Sequence, residues 1–450
     1  MAEERSPQPA PNAPAPPPAA PAGPPPRRYL FVSDIALVHD LAWQVKREGG
    51  DVRYFIRARS EKEIADGFVE KTDDWEREVE WADVVVFDDT GFGAKAEALR
   101  RAGKPVIGGS LYTDRLEEDR EFGQAELAAV GMNAIPSKEF SSFDEAIAHV
   151  KANPDRYVVK PSGKAQSEKV LSYVGQEEDG LDILAVLEHY KKAWGTKIKS
   201  FQVQKYVAGV EVAVGGFFDG KDFVLPVCVN FEHKRMFNDD IGPSTGEMGT
   251  AMFWTGENRL YRETLGRLRE RLGACGYVGY FDVNCIATGR GLYPLEVTSR
   301  FGYPTISIQM EGIASNWGDF LSSLAKGDPI PLRTKRGFQV GVVIAVPPFP
   351  FTDREAYERY SGDAPIIFRR PPSSGVHIGD VKAVNGEWLL AGYSGYALVV
   401  TGSGPTMEDA RREAYSRVRN VLIPNMFYRT DIGARWARDG DLLYGWGYLS

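Results

Sequence analysis

The stretch "GYFDVNCIATGRGLYPLEVTSRFG", Gly279 to Gly302, decides what kind of domain this chain builds. Two apolar runs flank the Gly289–Gly291 turn, the pattern of an antiparallel hairpin. Asp282 lies on the first strand and Glu296 on the second, where antiparallel pairing can set them side by side. Two carboxylates held together repel unless a cation bridges them, and Mg²⁺ with nucleotide phosphates is the usual solution. Thr298 stands two residues beyond Glu296 and so on the same face, and Arg300 follows as a cationic clamp. On the residues alone, a pair of merely solvated strand carboxylates remains an open alternative.

Upstream, "YVVKPSGKAQSEKV" (Tyr157 to Val170) reads as a strand that delivers Lys160 beside a Gly-containing turn with two more cations, Lys164 and Lys169. An ammonium fixed beside backbone N–H groups suits a phosphate, although lysines at strand ends are often only solvated. Between the two segments, Ser200–Arg235 has hairpin character. "NFEHKRMFNDDIGPSTGEMGTAMFW" (Asn230 to Trp254) is too polar to bury and too irregular for a helix, so a loop is expected there. Mixed antiparallel strands with flanking helices make residues 126–330 an α+β domain.

Residues 27–125 differ. Apolar strands alternate with helices of about ten residues, which indicates a parallel α/β sheet. Residues 331–450 are strand-rich with one clear helix starting at Thr406, a small α+β domain. Residues 1–26 are a Pro/Ala-rich tail that cannot bury surface and is expected to be disordered, a tether or a ligand for a partner. A chain of 450 residues exceeds what one core serves.

The bulk numbers narrow the function. A net charge of −8 argues against a nucleic-acid surface. Cys228, Cys275 and Cys285 show neither disulfide-framework nor zinc spacing, which suits a reducing cytoplasm. No apolar run reaches membrane-span length. The common P-loop is missing, and "GFGAKA" (Gly91 to Ala96) follows Asp88-Asp89, which would repel a pyrophosphate.

Taken together, these segments resemble the ATP-grasp ligases, and among them glycinamide ribonucleotide synthetase (phosphoribosylamine–glycine ligase). That family's D-H-K-R-x-x-D-x-D-x-G-P-N-T-G-G-M-G is similar to Glu232-His233-Lys234-Arg235, Asp239-Asp240 and Gly242-Pro243-Ser244-Thr245-Gly246-Glu247-Met248-Gly249. "LEVTSRFGYPT" resembles its L-E-F-N-x-R-F-G-D-P-E, "QVQKYVAGVEV" its hinge, and "NMFYRTDIGAR" its G-M-F-Y-R-x-D-I-G-x-R. The resemblance covers nearly everything after the tail. It implies a pre-ATP-grasp α/β domain, an ATP-grasp domain and a C-terminal domain, with ATP and Mg²⁺ (or Mn²⁺ in its place) as cofactors. It further implies that Lys160 and Lys164 hold phosphates, that Gln204 and Val207 hold adenine, and that Glu211 holds the ribose. Asp282, Glu296 and Thr298 would bind metal. Arg300 and Arg235 would act on the acyl phosphate, Lys234 would be a further catalytic residue, and His233, Asp240, Pro243, Ser244, Thr245, Gly246 and Glu247 would shape the carboxylate-donor loop.

The departures from the family fall mostly in the acceptor half. Its G-S-G-G-R-E-H is here "SDIALVH", with His39 kept and the Arg replaced by Leu37. Asp34 and Asp88 stand where a phosphate would sit, and a carboxylate near a phosphate is repulsive by roughly 1–4 kcal/mol in a partly wet pocket. An acceptor pocket of Asp34, His39 and Asp88 therefore suits a neutral or cationic amine. In the other half the metal-binding Asn becomes Thr298, a loop Gly becomes Glu247, and the phosphate-covering turn reads Ser167-Glu168-Lys169. Three readings follow. The first is a ligase joining an amino acid such as glycine to a non-standard amine. The second is the orthodox purine enzyme, and the third a nucleotide-binding scaffold without catalysis.

Overall fold

The computed structural model describes residues 26–162, 171–195, 198–372 and 374–449. The Pro-rich tail, Lys164 and the Ser167–Lys169 turn lie outside the described residues. Strands β1 (Arg28–Ser33), β2 (Asp51–Ile56), β3 (Glu70–Lys71), β4 (Val84–Phe87) and β5 (Val106–Ile107) form a parallel sheet in the order β3-β2-β1-β4-β5. Its central strands are apolar throughout because both faces are covered. Leu30 and Val32 enter one core, and Tyr29 and Phe31 enter the other. The loops after β1 and β4 leave from the carboxyl ends, where open α/β sheets bind ligands.

Strands β6 (Ser137–Phe140), β7 (Tyr157–Pro161), β8 (Tyr173–Val174) and β9 (Phe201–Lys205) make an antiparallel sheet in the order β6-β9-β7-β8. A short linker then enters β10 (Val210–Phe218), followed by β11 (Phe223–Glu232), the pair β12 (Arg235–Phe237) and β13 (Ile241–Ser244), and β14 (Gly249–Thr255). After two helices come β15 (Gly279–Thr288) and β16 (Gly291–Thr298), then β17 (Phe338–Ala345), β18 (Pro365–Phe368), β19 (Val376–Ile378), β20 (Val381–Val384), β21 (Glu387–Leu390), β22 (Tyr396–Gly404) and β23 (Val421–Leu422). Eight of these build the large sheet β16-β15-β10-β11-β14-β17-β22-β19. The pairings β14–β17 and β17–β22 carry that sheet straight through residue 330, so a boundary there cuts between strands of one sheet.

Asn230–Trp254 is more ordered than its polarity suggests. β11 and β14 bracket it, and its middle is the β12–β13 hairpin, where Arg235 pairs with Ser244 and Phe237 with Ile241. Asp239 and Asp240 at its tip take left-handed φ values of 59° and 56°, a conformation short acidic side chains tolerate. The C-terminal segment pins the hairpin. The fully buried Arg429 donates to Asp240 at 2.9 Å, Arg435 to the other Asp240 oxygen at 2.9 Å, and Asn238 bonds Thr430. Tertiary ion pairs therefore order a segment that has little apolar content of its own.

The β15–β16 hairpin has one irregularity. Cys285 faces Pro294, but Asn284 faces Glu296, so β16 carries an extra residue, Leu295, at a bulge. Beyond it Asp282 faces Thr298 rather than Glu296. The expected side-by-side Asp282–Glu296 pair is thus a diagonal one.

Candidate active site

One face of the large sheet is apolar. Val212, Val214, Val229, Val283, Cys285 and Val297 point into a core. The alternate residues point the other way and are polar: Glu211 on β10, Asn230 and Glu232 on β11, Asp282 and Asn284 on β15, Glu296 and Thr298 on β16. The alternation forces a concentration of oxygen atoms on one surface. Asn284 was given no role from sequence and Glu232 only a place at the start of the donor loop, yet both belong to it, with Asn284 donating to Glu232 at 2.9 Å.

Lys234 is the cation at the centre. Its ammonium lies 2.7 Å from Glu211, 3.2 Å from Glu232 and 3.5 Å from Glu296. Burial works against the charge, but the three carboxylates outweigh it and hold the lysine pKa well above its ordinary value. Glu211, expected at the ribose, is thus tied to a lysine expected to be catalytic. Arg235 instead caps its own hairpin by donating to the Gly242 carbonyl at 3.0 Å.

Asp282 is buried and positioned by two donors, the Tyr280 hydroxyl at 3.0 Å and the Asn230 amide at 3.1 Å. Gly215 allows this, since a Cβ there would overlap the Tyr280 hydroxyl. Burial and the charge of Glu232 push the Asp282 carboxyl up to about 7, against those two hydrogen bonds. Among the described residues no three His, Cys, Asp or Glu side chains converge on a ready-made metal position. The donor set nevertheless fits Mg²⁺. It is all oxygen, Asn284 leaves a buried side-chain oxygen without a partner, and Mg²⁺ needs only one or two carboxylates when phosphate oxygens and water complete its shell.

Lys160, near the end of β7, faces the same cluster. Burial, with Arg120 close by, lowers its pKa to about 8 despite the opposing pull of Glu296 and Glu211. Arg120 opens the helix Arg120–Ala129 and lines a small cleft with Glu117, Gln124 and Glu296. One of its guanidinium nitrogens is buried without a partner. No sequence pattern marked it, because its helix is remote in sequence from both strands. Gln204 is buried on β9, and Val207 is in the linker between β9 and β10, where the two sheets meet.

In the donor loop, Thr245 folds back on Lys234 through bonds of 2.8 and 2.9 Å to its carbonyl, while Pro243 and Ser244 form β13. Gly246 borders open space. Glu247 is 6% exposed with one carboxylate oxygen unpartnered, and burial and Glu232 raise its pKa well above the ordinary value. His233 accepts from the Gly433 amide at 3.4 Å. Burial and the nearby Arg435 and Arg429 lower its pKa to about 3, so it is neutral with its proton on Nδ1. Asp240, through its two arginines, anchors the hairpin rather than lining its inside.

The acceptor half requires corrections. His39 is fully buried, with Nδ1 2.5 Å from the Ala36 carbonyl and Nε2 2.7 Å from the Gly379 carbonyl. It bolts the N-terminal sheet to the C-terminal strands and is sealed from solvent. Asp88 is also fully buried. It accepts from the Val38 amide and the Tyr54 hydroxyl, and burial and Asp89 push it up to about 7. Asp34 is half-buried and offset by Arg57 at 3.5 Å, a cation that stacks on Phe92. The acidic character lies instead on Asp89 and Glu117, which hold Arg300 at 3.6 and 3.1 Å. Burial raises the pKa of both carboxylates, and Arg300 opposes it.

Comparison with known proteins agrees with this layout. The family model for the phosphoribosylglycinamide synthetase ATP-grasp (A) domain matches residues 118–304. A phosphoribosylamine–glycine ligase of Rhizobium meliloti is 29% identical over 351 residues, 75% of this chain and 80% of that protein. One from Listeria innocua is 25% identical over 350 residues, with the same shares. The crystal structure of phosphoribosylamine–glycine ligase from Thermotoga maritima superposes with a TM-score of 0.66 at 20% identity, covering 90% of this chain and all of that one. An L-amino acid ligase from Bacillus licheniformis gives 0.57 at 15% identity over 89% of this chain and 99% of its own. In its motifs, its fold and an oxygen-rich sheet face bordered by lysines, this chain resembles the phosphoribosylamine–glycine ligases as a divergent relative, and its residues 118–304 match their ATP-grasp domain.

Proposed function

We propose that the chain is an ADP-forming carboxylate–amine ligase that joins an amino acid such as glycine to an amine other than phosphoribosylamine. The observation that carries the reading is the sheet face where Glu211, Glu232, Asp282 and Glu296 gather with Lys234. Such a surface is made to receive further cations together with the phosphates they neutralise. ATP would lie between the two antiparallel sheets, near Gln204 and Val207, with its phosphates toward Lys160 and Arg120. Asp282, Glu296 and Thr298 would hold Mg²⁺, which supplies charge neutralisation for the transferring phosphoryl group.

In the first step a donor carboxylate oxygen attacks the γ-phosphorus, the bond to the bridging oxygen breaks, and ADP leaves. In the second the amine nitrogen attacks the acyl carbon, phosphate leaves, and the nitrogen loses a proton. Most of the catalysis is alignment and charge stabilisation. Glu247 and the Thr245–Gly246 turn would shape the donor pocket. Arg300 would meet the acyl phosphate, and a ligand phosphate must then compete with Asp89 and Glu117 for it. Those two carboxylates support a neutral or cationic acceptor.

One observation favours the orthodox substrate. Arg57, stacked on Phe92 beside Asp34, is a cation at the loop where the family's Arg is missing. The two readings separate in one assay, ADP release with Mg²⁺-ATP and glycine, with and without freshly generated phosphoribosylamine, with products followed by mass. Glycinamide ribonucleotide formed at a robust rate would establish the orthodox enzyme. ADP formed without that product supports the altered acceptor. Glu296→Ala should abolish ADP formation, and unaffected turnover would remove Glu296 from the site.

A further inference from the structure

A second charged concavity lies in the C-terminal part of the fold and shares no residue with the site above. It is a cleft of 350 Å³ between the segment after β18 and the C-terminal end of the helix Met407–Val418, lined by Arg369, Arg370, Ser374, Arg417, Arg419 and Asn420. Its cations fall into two classes. Arg417 is committed, to Glu311 at 2.9 Å, Glu413 at 3.1 Å and the Thr401 carbonyl at 2.7 Å. Arg369, Arg370 and Arg419 have no carboxylate within ion-pair distance among the described residues, in a chain whose net charge is −8. The guanidinium groups of Arg370 and Arg419 make no hydrogen bond among those residues either.

The backbone beneath these arginines is fixed. The Arg369 amide donates to the Asn420 carbonyl at 2.9 Å, the Arg370 amide to the Asn420 side chain at 2.9 Å, and the Asn420 amide group returns a bond to the Arg370 carbonyl at 2.8 Å. The Arg369 side chain adds a bond to the Arg419 carbonyl at 3.1 Å. Pairing of β18 with β23 continues the clamp. Like charges gathered on a rigid wall repel one another, and among the described residues no carboxylate offsets Arg369, Arg370 or Arg419. Guanidinium forks match phosphate oxygens in geometry and charge. Ser374 and Asn420 add neutral donors at the rim.

We infer that this cleft is a binding site for a small phosphate-bearing ligand, with diphosphate as its minimal form. A free polyphosphate and the diphosphate of a nucleotide share that chemistry. The site needs neither the metal nor the ligase reading of the catalytic face.

The test is calorimetric titration of the full-length protein with pyrophosphate, without Mg²⁺. It compares wild type, Lys160→Ala, and the double variant Arg370→Glu/Arg419→Glu, whose side chains support no internal bond. A melting scan of each variant reports folding. The expected result is a binding event that Lys160→Ala keeps and the double variant weakens at least tenfold. Arg370→Ala alone should weaken it severalfold, which keeps the test valid if the double variant melts early. Raising salt should weaken it too. Undiminished binding in the folded double variant, or its complete loss in Lys160→Ala, would overturn the inference. With Lys160→Ala as host, ADP binding that is tighter than pyrophosphate and is lost on adding Arg370→Glu/Arg419→Glu identifies a nucleotide ligand, and equal affinity identifies the phosphates alone.

Discussion

Lys234→Met isolates the electrostatic logic of the sheet face. The substitution keeps the stem's volume and removes one ammonium from between Glu211, Glu232 and Glu296, at 2.7, 3.2 and 3.5 Å. At an effective dielectric of about 20 each contact is worth roughly 5 kcal/mol before desolvation. The ammonium itself gives up most of its hydration to enter this surface, which cancels the larger part. The side chain keeps 29% exposure, so solvent screens what is left. Removing one partner from a buried charge cluster typically costs about 3–5 kcal/mol, and screening brings the expectation to roughly 2–4 kcal/mol in the metal-free protein. The three carboxylates, no longer neutralised, should then bind Mg²⁺ more tightly than in wild type. Urea unfolding with and without saturating Mg²⁺ reads both effects. The variant should unfold earlier without metal and recover at least half the loss with it, while wild type gains less. Equal stability of variant and wild type without metal, or an identical Mg²⁺ increment in both, would refute the reasoning.

Other consequences are simpler to read. The Lys160 ammonium, with a pKa of about 8 in the free protein, is charged below that value and lost above it. Affinity for a metal-free ATP analogue should therefore fall roughly tenfold from pH 7 to pH 9, and Lys160→Arg should flatten the profile. Asp282, at about 7, must lose its proton to accept a cation, so Mg²⁺ affinity should rise roughly tenfold from pH 6 to pH 8. Tyr280→Phe, which removes a hydrogen bond to the charged form, should move that rise to higher pH in the same titration. His39→Leu should cost roughly 1–3 kcal/mol in chemical denaturation by stranding the buried carbonyl to which its one imidazole N–H donates, while the KM for the amine stays within about twofold of wild type; a large KM change would return His39 to the pocket. Asp34→Asn with Asp89→Asn should free Arg57, leave Arg300 held by Glu117 alone, and tighten binding of a phosphorylated amine by roughly tenfold, measured by competition.

The parallel N-terminal sheet was legible because strands buried on both faces must be apolar throughout, as Tyr29–Val32 and Val84–Phe87 are. The polar face of the large sheet was half legible. Alternation picks out Glu296 with Thr298, but nothing local shows that β10 and β11 lie beside β15 and so bring Glu211 and Glu232 into range. Passage of the sheet through residue 330 was illegible for the same reason, since β14 and β17 pair across more than eighty residues. In the acceptor loops the sequence pointed to Asp88, and the structure buries Asp88 and sets Asp89 on Arg300. Asp88 and Asp89 are neighbours in sequence, and only the packing of Tyr54 and Val38 against Asp88 shows which one turns inward.

The bulge at Leu295 fixes a parity. Counting pairs back from the Gly291 end with Leu295 paired in the ladder instead, Asp282 would face Val297, and Glu296 would share its side of the sheet with Val283 in the apolar core. With the bulge, Glu296 and Thr298 come round to the side of Asp282. The hairpin can therefore vary in length at its solvent-facing tip without consequence. Forcing Leu295 into the ladder opposite Asn284 would turn the chemistry inside out, placing a carboxylate among valines and a valine beside Asp282, with every individual side chain still present.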